Sequence, residues 1–365
     1  MKKAFYKILL VLIALMLLGC KKKEKDDSEM NDNEDIVIVE TPTPTISPTV
    51  SPAPIEVSHE GQMRSYLSGE WVPIEIGTNR PYAYQFNNFK SVSNQWGISQ
   101  ADIVYECIVE GGITRLLGIG ENFQGDRIGS TRSARHYFAS IADEYDAIYI
   151  HYGGTKYAKA KISELAIDDL DGNSGIGSVI FYRDKSIKAP HNAFASLDGI
   201  QKGIEKKKFE TKYPEGYEPH YKFYEEDTVL SSGTPVNKVT LDFSSYIQPY
   251  FEYQEKDKLY YRFQFGAEHK DSNTGKQLAF KNIIVQFVKE WDIDKNGYQT
   301  MELENASGKG YYITNGKMVP ITWKKNEAKS FMRYYNEAGE ELTINPGKTY
   351  ITLFPVNRPE DVILQ

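Results

Sequence analysis

The chain has 365 residues, a formal charge of −7, six histidines and two cysteines. An acidic balance of this kind argues against a nucleic-acid partner, and the length is enough for one large core or two smaller ones. With Cys20 in the leader region, Cys107 stands alone in the remainder, so no intramolecular disulfide is open to it.

Lys2, Lys3 and Lys7 precede the apolar run Ile8 to Leu18. The run is well short of the ~20 residues a membrane-crossing helix needs, and with its positive flank it reads as a signal peptide over residues 1–19. Gly19 directly before Cys20 resembles a bacterial lipobox, which implies acylation of Cys20 and anchorage to the outer face of the cytoplasmic membrane. An ordinary cleaved signal that happens to contain a cysteine is the other reading. Removing residues 1–19 takes away three lysines and moves the charge from −7 to −10. Residues 20–58 open as a charge run and become a Thr/Ser/Pro tract, which cannot bury enough apolar surface to fold. They read as a tether with a reach of roughly 35 Å.

Residues 59–230 mix strand and helix patterns. "DIVYECIV" and "ITRLLGIGE" read as strands joined at Glu110-Gly111-Gly112, with Cys107 a buried strand residue. "SARHYFASIADEY" fits a helix, since Ala134, Phe138, Ile141 and Tyr145 recur at the helical period and Ser133 is a good N-cap. The strand "DAIYIHYGG" follows, then a second helix in "TKYAKAKISELA".

Residues 231–365 carry mostly strand signals, in "NKVTLDF", "PYFEYQ", "LYYRFQFG" and "NIIVQFVKEW", with turns at residues 255–258, Thr274-Gly275, Asn296-Gly297 and Asn315-Gly316. A second, antiparallel β-rich domain is expected, giving an α+β fold. Asp292, Asp294, Asn296 and Gly297 imitate the start of a calcium loop, but position twelve is Leu303 and the acid falls one residue early at Glu302. Asn-Gly between strand-like runs is primarily a tight hairpin turn. "DDLDGNSG" lacks an oxygen ligand at its first position, Ile167. The histidines show no zinc spacing, and there is no phosphate-cradling glycine motif and no nucleophile elbow, so no metal or cofactor is expected.

Across everything after the tether, "RPYAYQFNN", "GISQADIVYECIVEGGITRLLGIGE", "GSTRSAR", "EYDAIYIHYGG", "DLDG", "KAPHN", "GKGYYITNGKMVPITWKK" and "INPGKTYITLFP" resemble, in order and spacing, the YerB-like lipoproteins of Gram-positive bacteria. That resemblance implies an N-terminal domain of mixed α/β character, a β-rich C-terminal domain and a three-layer β/β/α sandwich class. It implies no established activity, because the family carries a domain of unknown function.

Candidate site residues follow from charge and position. Arg132 and Arg135 lie at an expected helix N-terminus, where the dipole already favours an anion and an arginine opposes it. A counter-anion is therefore expected, either Glu106 or Glu110 in ordinary internal pairing, or a bound phosphate or carboxylate. Further polar groups gather at element ends: His151 before Gly153-Gly154, Arg183-Asp184, and Lys188 with His191-Asn192 in "KAPHN". His191 after a proline is a rigidly presented imidazole that Asp184 could orient. Two readings stand. In the first, Arg132, Arg135, Arg183, Lys188, His191 and Asn192 form a non-catalytic anion site for an anionic cell-wall polymer, with a β-rich surface for an envelope protein. In the second, a wall-directed hydrolase or transferase uses Asp184 and His191 for proton handling. The first is preferred, since no nucleophile or metal set is evident.

Overall fold

A computed structural model of the chain describes residues 58–365; the leader, Cys20 and the tether up to residue 57 lie outside the described residues. In chain order the first half supplies β1 (Tyr82–Asn87), β2 (Ile103–Ile108), β3 (Thr114–Gly120), β4 (Ile128–Gly129), α1 (His136–Glu144), β5 (Ile148–His151), α2 (Lys156–Leu165), β6 (Asp169–Asp171), β7 (Phe181–Arg183), β8 (Ala193–Ala195) and α3 (Leu197–Lys207). The second half supplies β9 (Lys238–Leu241), β10 (Tyr250–Gln254), β11 (Leu259–Gln264), β12 (Asn282–Val288), β13 (Ala306–Thr314), β14 (Lys317–Lys325), β15 (Thr349–Pro355) and β16 (Val362–Leu364).

An eleven-stranded mixed sheet runs β14-β13-β12-β15-β2-β3-β1-β5-β6, with the short strands Thr234–Pro235 and Arg333–Tyr335 both on β14. Strands from the two halves meet at its centre, where β15 and β2 pair in parallel from Thr349↔Ile103 to Leu353↔Cys107. β2, β3, β12 and β15 are buried along their whole length, which explains why their sequences read as apolar runs. A six-stranded second sheet contains β11-β10-β9-β16. The second half departs from the expected antiparallel pattern, since β15 pairs in parallel with both β12 and β2, and Thr343–Ile344 pairs in parallel with Lys222–Phe223. The core is one buried cluster that draws on both halves.

Neighbouring residues of β2 face different partners, as strand alternation requires. Glu106 meets Arg262 of the second sheet at 2.5 Å and accepts from the Tyr350 hydroxyl at 2.6 Å. Tyr105, on the opposite face, shares a 2.8 Å hydrogen bond with the Tyr145 hydroxyl at the end of α1.

The helix expected to be capped by Ser133 starts two residues later, at His136, with Arg135 in the cap position and no side-chain capping bond from it. The reason is that the preceding residues are woven into neighbouring strands. Thr131 N–H donates to the Ala193 carbonyl, Arg132 N–H to that of Gln85, and Ala134 N–H to that of Gly153. α2 forms where expected, and Thr155 caps it by accepting from Ala158 N–H. α3 was not foreseen, although Ser196 caps it, Ile200 and Ile204 bury one face, and Lys206 and Lys207 suit its C-terminal end. The segment around Asn296-Gly297 is a hairpin, pairing Glu290–Asp292 with Gln299–Met301.

Candidate anion-binding site

The site is built on the α1 side of β1 and β3, where Arg115 and Asn87 lie directly opposite each other. Such cross-strand pairs hold their Cβ atoms about 5 Å apart, so the two side chains share a face. Arg115 is 4 % exposed, and among the described residues its one side-chain hydrogen bond runs from Nη1 to the Ser133 carbonyl at 2.6 Å. Among the described residues no carboxylate lies within ion-pair distance of it. Burial, with the charges of Arg135 and Arg132 adding to it, pushes the Arg115 guanidinium down to about 9.

Two further arginines arrive from the segment before α1. Gly129 starts that segment at φ 145°, and a Cβ there would lie 2.9 Å from the Phe194 ring and 3.1 Å from the Ala193 carbonyl, so only glycine lets β4 approach β8 this closely. Arg135 is buried and bound through two nitrogens to Glu110, at 2.7 Å from Nε to Oε1 and through Nη2 to Oε2. Burial opposes the Arg135 charge, but Glu110 outweighs it and leaves the pKa raised; Glu110 is likewise held below the usual carboxylate range despite its burial. Arg132 is half-buried, donates to the Pro190 carbonyl at 3.3 Å and has no carboxylate partner among the described residues. Burial and then the Arg135 charge lower its pKa.

His191 completes the group. A turn in which its N–H donates to the Lys188 carbonyl sets the imidazole against Phe89, with ring centroids 4.4 Å apart, and 3.0 Å from Asn87 Nδ2. Burial, then the charges of Arg132 and Arg115, lower its pKa, which favours the neutral ring.

Arg132, Arg135 and His191, expected to act together, are thus gathered around Asn87 and Arg115. Glu110 is the internal partner of Arg135, whereas Glu106 is taken by Arg262 on the other face of the sheet. Arg183 is exposed, lies over the Tyr152 ring at 4.6 Å and donates to Asn192 Oδ1 at 2.8 Å, while Asn192 Nδ2 donates to the Asp184 carbonyl. These contacts brace the β7–β8 hairpin that presents His191. Lys188 is exposed on the same hairpin, with no side-chain partner among the described residues. The expected pairing of Asp184 with His191 does not form. Asp184 accepts from the Ser186 hydroxyl and N–H and pairs with Arg127 at 2.7 Å, and Arg127 is itself held between Trp96 and Phe194. His151 is buried, its Nδ1 2.9 Å from the Gly153 carbonyl and its Nε2 3.2 Å from Asp169, a bracing role at the end of β5.

Sequence reasoning missed Arg115 and Asn87. The available signal was a charge inside an otherwise apolar strand, because a buried guanidinium needs either a partner or a purpose.

The family model described as the N-terminal domain of DUF3048, a protein of unknown function, matches residues 67–210, and the DUF3048 C-terminal domain matches residues 239–351. The N-terminal match spans Asn87, Arg115, Arg132, Arg135 and His191. A protein of Bacillus subtilis strain 168 named "Putative lipoprotein YerB" is 30% identical over 306 residues, covering 80% of this chain and 87% of the relative. The crystal structure of the YerB protein from Bacillus subtilis superimposes with a TM-score of 0.73 at 28% identity, covering 83% of this chain and 99% of the other. The motifs, the fold and these similarities agree: the chain belongs to the DUF3048 family of YerB-like proteins.

Proposed function

We propose that this is a lipid-anchored envelope protein whose first half recognises an anionic group of the cell wall. The observation that carries the reading is the charge balance on the α1 side of β3. Among the described residues three guanidinium groups, Arg115, Arg132 and Arg135, meet a single carboxylate, Glu110, so two positive charges there are left without a counter-charge. Partly desolvated arginines without counter-charges bind carboxylate and phosphate groups strongly. The lipobox-like Gly19-Cys20 and the tether supply display on the outer face of the cytoplasmic membrane, and the relative named as a lipoprotein supports that placement. The scaffold fits a three-layer β/β/α arrangement, with the second sheet on the Glu106 side of β2 and α1 on the Tyr105 side.

The hydrolase reading is not favoured, since Asp184 is committed to Arg127 and Ser186 and the His191 Nδ1 faces an amide rather than an acid. The test is Arg132→Ala, assayed for affinity to anionic wall fragments and for urea stability. Binding should be lost while stability falls by no more than about 1 kcal/mol, as for a half-exposed group without an ion-pair partner. Unchanged affinity would sink the proposal.

A further inference from the structure

The orientation of one amide fixes the chemistry that the site offers. Asn87 Oδ1 accepts from Phe89 N–H at 3.2 Å, so the opposite end of the amide, Nδ2, is the donor. That nitrogen faces the Ser130 hydroxyl at 3.1 Å and His191 Nδ1 at 3.0 Å. Nδ1 must therefore accept, and in a neutral ring the proton then resides on Nε2. His191 Nε2–H donates to no group among the described residues and is not sealed from solvent. The side-chain groups at the edge of the site are thus donors: the Arg115 and Arg132 guanidinium groups, each of which gives one N–H to a backbone carbonyl, and the His191 Nε2–H. No carboxylate or hydroxyl oxygen among the described residues satisfies this set, and two positive charges remain after Glu110 neutralises Arg135.

A ligand for such a surface should carry only acceptors, more than two of them, and a charge close to −2. A carboxylate has two oxygens and one charge, and a phosphodiester has two terminal oxygens and one charge. A phosphate monoester has three terminal oxygens and a charge of about −1.5 to −2 near neutral pH. Resting on the anion-binding reading of the same site, we infer that Arg115, Arg132 and the Nε2–H of His191 recognise a phosphate monoester. His191 acts as an uncharged donor whose tautomer is set by Asn87, and Phe89 fixes the plane of its ring by stacking.

The probes are phenyl phosphate, methyl phenyl phosphate and benzoate, which share one ring and differ in the anion, titrated calorimetrically into the full-length protein in detergent. Phenyl phosphate should bind at least about tenfold more tightly than either of the others, a difference of the size expected for an added charge-assisted hydrogen bond. His191→Ala should erase that preference. His191→Gln, which retains an N–H donor near the Nε2 position, should restore most of it; a residue needed only for folding would not be rescued in this way. If Arg132→Ala weakens wall-fragment binding but phenyl phosphate shows no preference over the diester or benzoate, the monoester inference is overturned and the anion reading stands. If no probe binds and Arg132→Ala leaves wall-fragment affinity unchanged, both fall.

Discussion

Arg262 and Arg115 are both buried, and both lie beside β2, on its opposite faces. Arg262 sits in a charge-balanced network, with Glu106 at 2.5 Å, Gln264 Oε1 at 2.8 Å and a direct contact with His269 Nδ1, and only its Nε lacks a partner among the described residues. Its charge is cancelled inside the joint between the two sheets, where Tyr350 also donates to Glu106. Arg115 has one carbonyl and, nearby, two more arginines. The same side chain is therefore a structural fastener on one face and an unbalanced charge on the other. Burial alone separates neither case from the other; the count of counter-charges does.

The acids show the same division. Glu110 faces Arg135 and is held low, whereas Glu121, just past β3 and only 7 % exposed, accepts from the Ser65 hydroxyl at 2.9 Å and leaves Oε1 without a partner among the described residues. Burial, with Asp102 adding to it, pushes Glu121 up to about 8.

The largest effect should come from the charge-balanced side. Arg262→Met leaves Glu106 buried without its cation, and orphaning one member of such a pair costs about 3–5 kcal/mol. Urea unfolding should show it, and a loss under about 1 kcal/mol would mean that the network between the sheets is not what holds them together. Next comes Glu121. A carboxyl whose folded pKa is raised contributes stability that is full below its unfolded value near 4.5 and is lost as pH rises through about 8. His136 and His220, lowered by burial to about 4 and about 3, act with the opposite sense, losing stability only as pH falls below about 6.5. His191 and His269 are lowered as well, and an unfolded histidine is still half-protonated at about pH 6.5, so the Glu121 contribution stands clear of the histidines only above about pH 7.5. Between about pH 7.5 and about pH 8.5 the protein should lose roughly 0.5–1 kcal/mol. Glu121→Gln should remove most of the slope; an unchanged slope in urea titrations at the two pH values would reassign it.

What the sequence showed and hid follows from the distance over which each contact is decided. Arg132 and Arg135 stood out at an expected helix N-terminus and His191 behind a proline in a polar loop, all local signals. Arg115 was hidden inside "ITRLLGIG", since its place beside Asn87 depends on the β1–β3 register, a pairing that no short window contains. Glu106 and Glu110 looked equivalent as partners. Strand alternation sends Glu106 to the face opposite Arg115, while the turn at Glu110–Gly112, with Gly111 and Gly112 at φ 73° and 70°, ends the strand and lets Glu110 reach Arg135. Asp184 and His191 were close in sequence, but Arg127, from the strand approach before α1, captures the acid. The helix start was misplaced for a related reason: Ser133 has the right chemistry for a cap, yet the backbone around it is already committed to β1, β8 and the turn after β5. The α+β class was legible because periodicity is local, and the shared central sheet was not, because β2 and β15 are joined by a pairing that spans most of the chain.

The smallest effect on stability is expected where the comparison is sharpest. Arg115→Met replaces a buried, uncompensated charge by an apolar side chain of similar length. The loss of the Ser133 hydrogen bond is worth about 0.5–1.5 kcal/mol, and the relief of burying a lone cation beside Arg132 and Arg135 offsets it. The net change should lie within about 1 kcal/mol of zero, against the several lost in Arg262→Met. Ligand linkage separates a silent position from a working one, because an anion that binds only the folded state raises the urea midpoint in proportion to the logarithm of its concentration. Adding inorganic phosphate in place of chloride at fixed ionic strength should raise the wild-type midpoint, and Arg115→Met should retain only the general salt response that both proteins share. A loss of 3 kcal/mol or more in Arg115→Met would show instead that Arg115 is as structural as Arg262, and that the two faces of β2 differ in geometry but not in purpose.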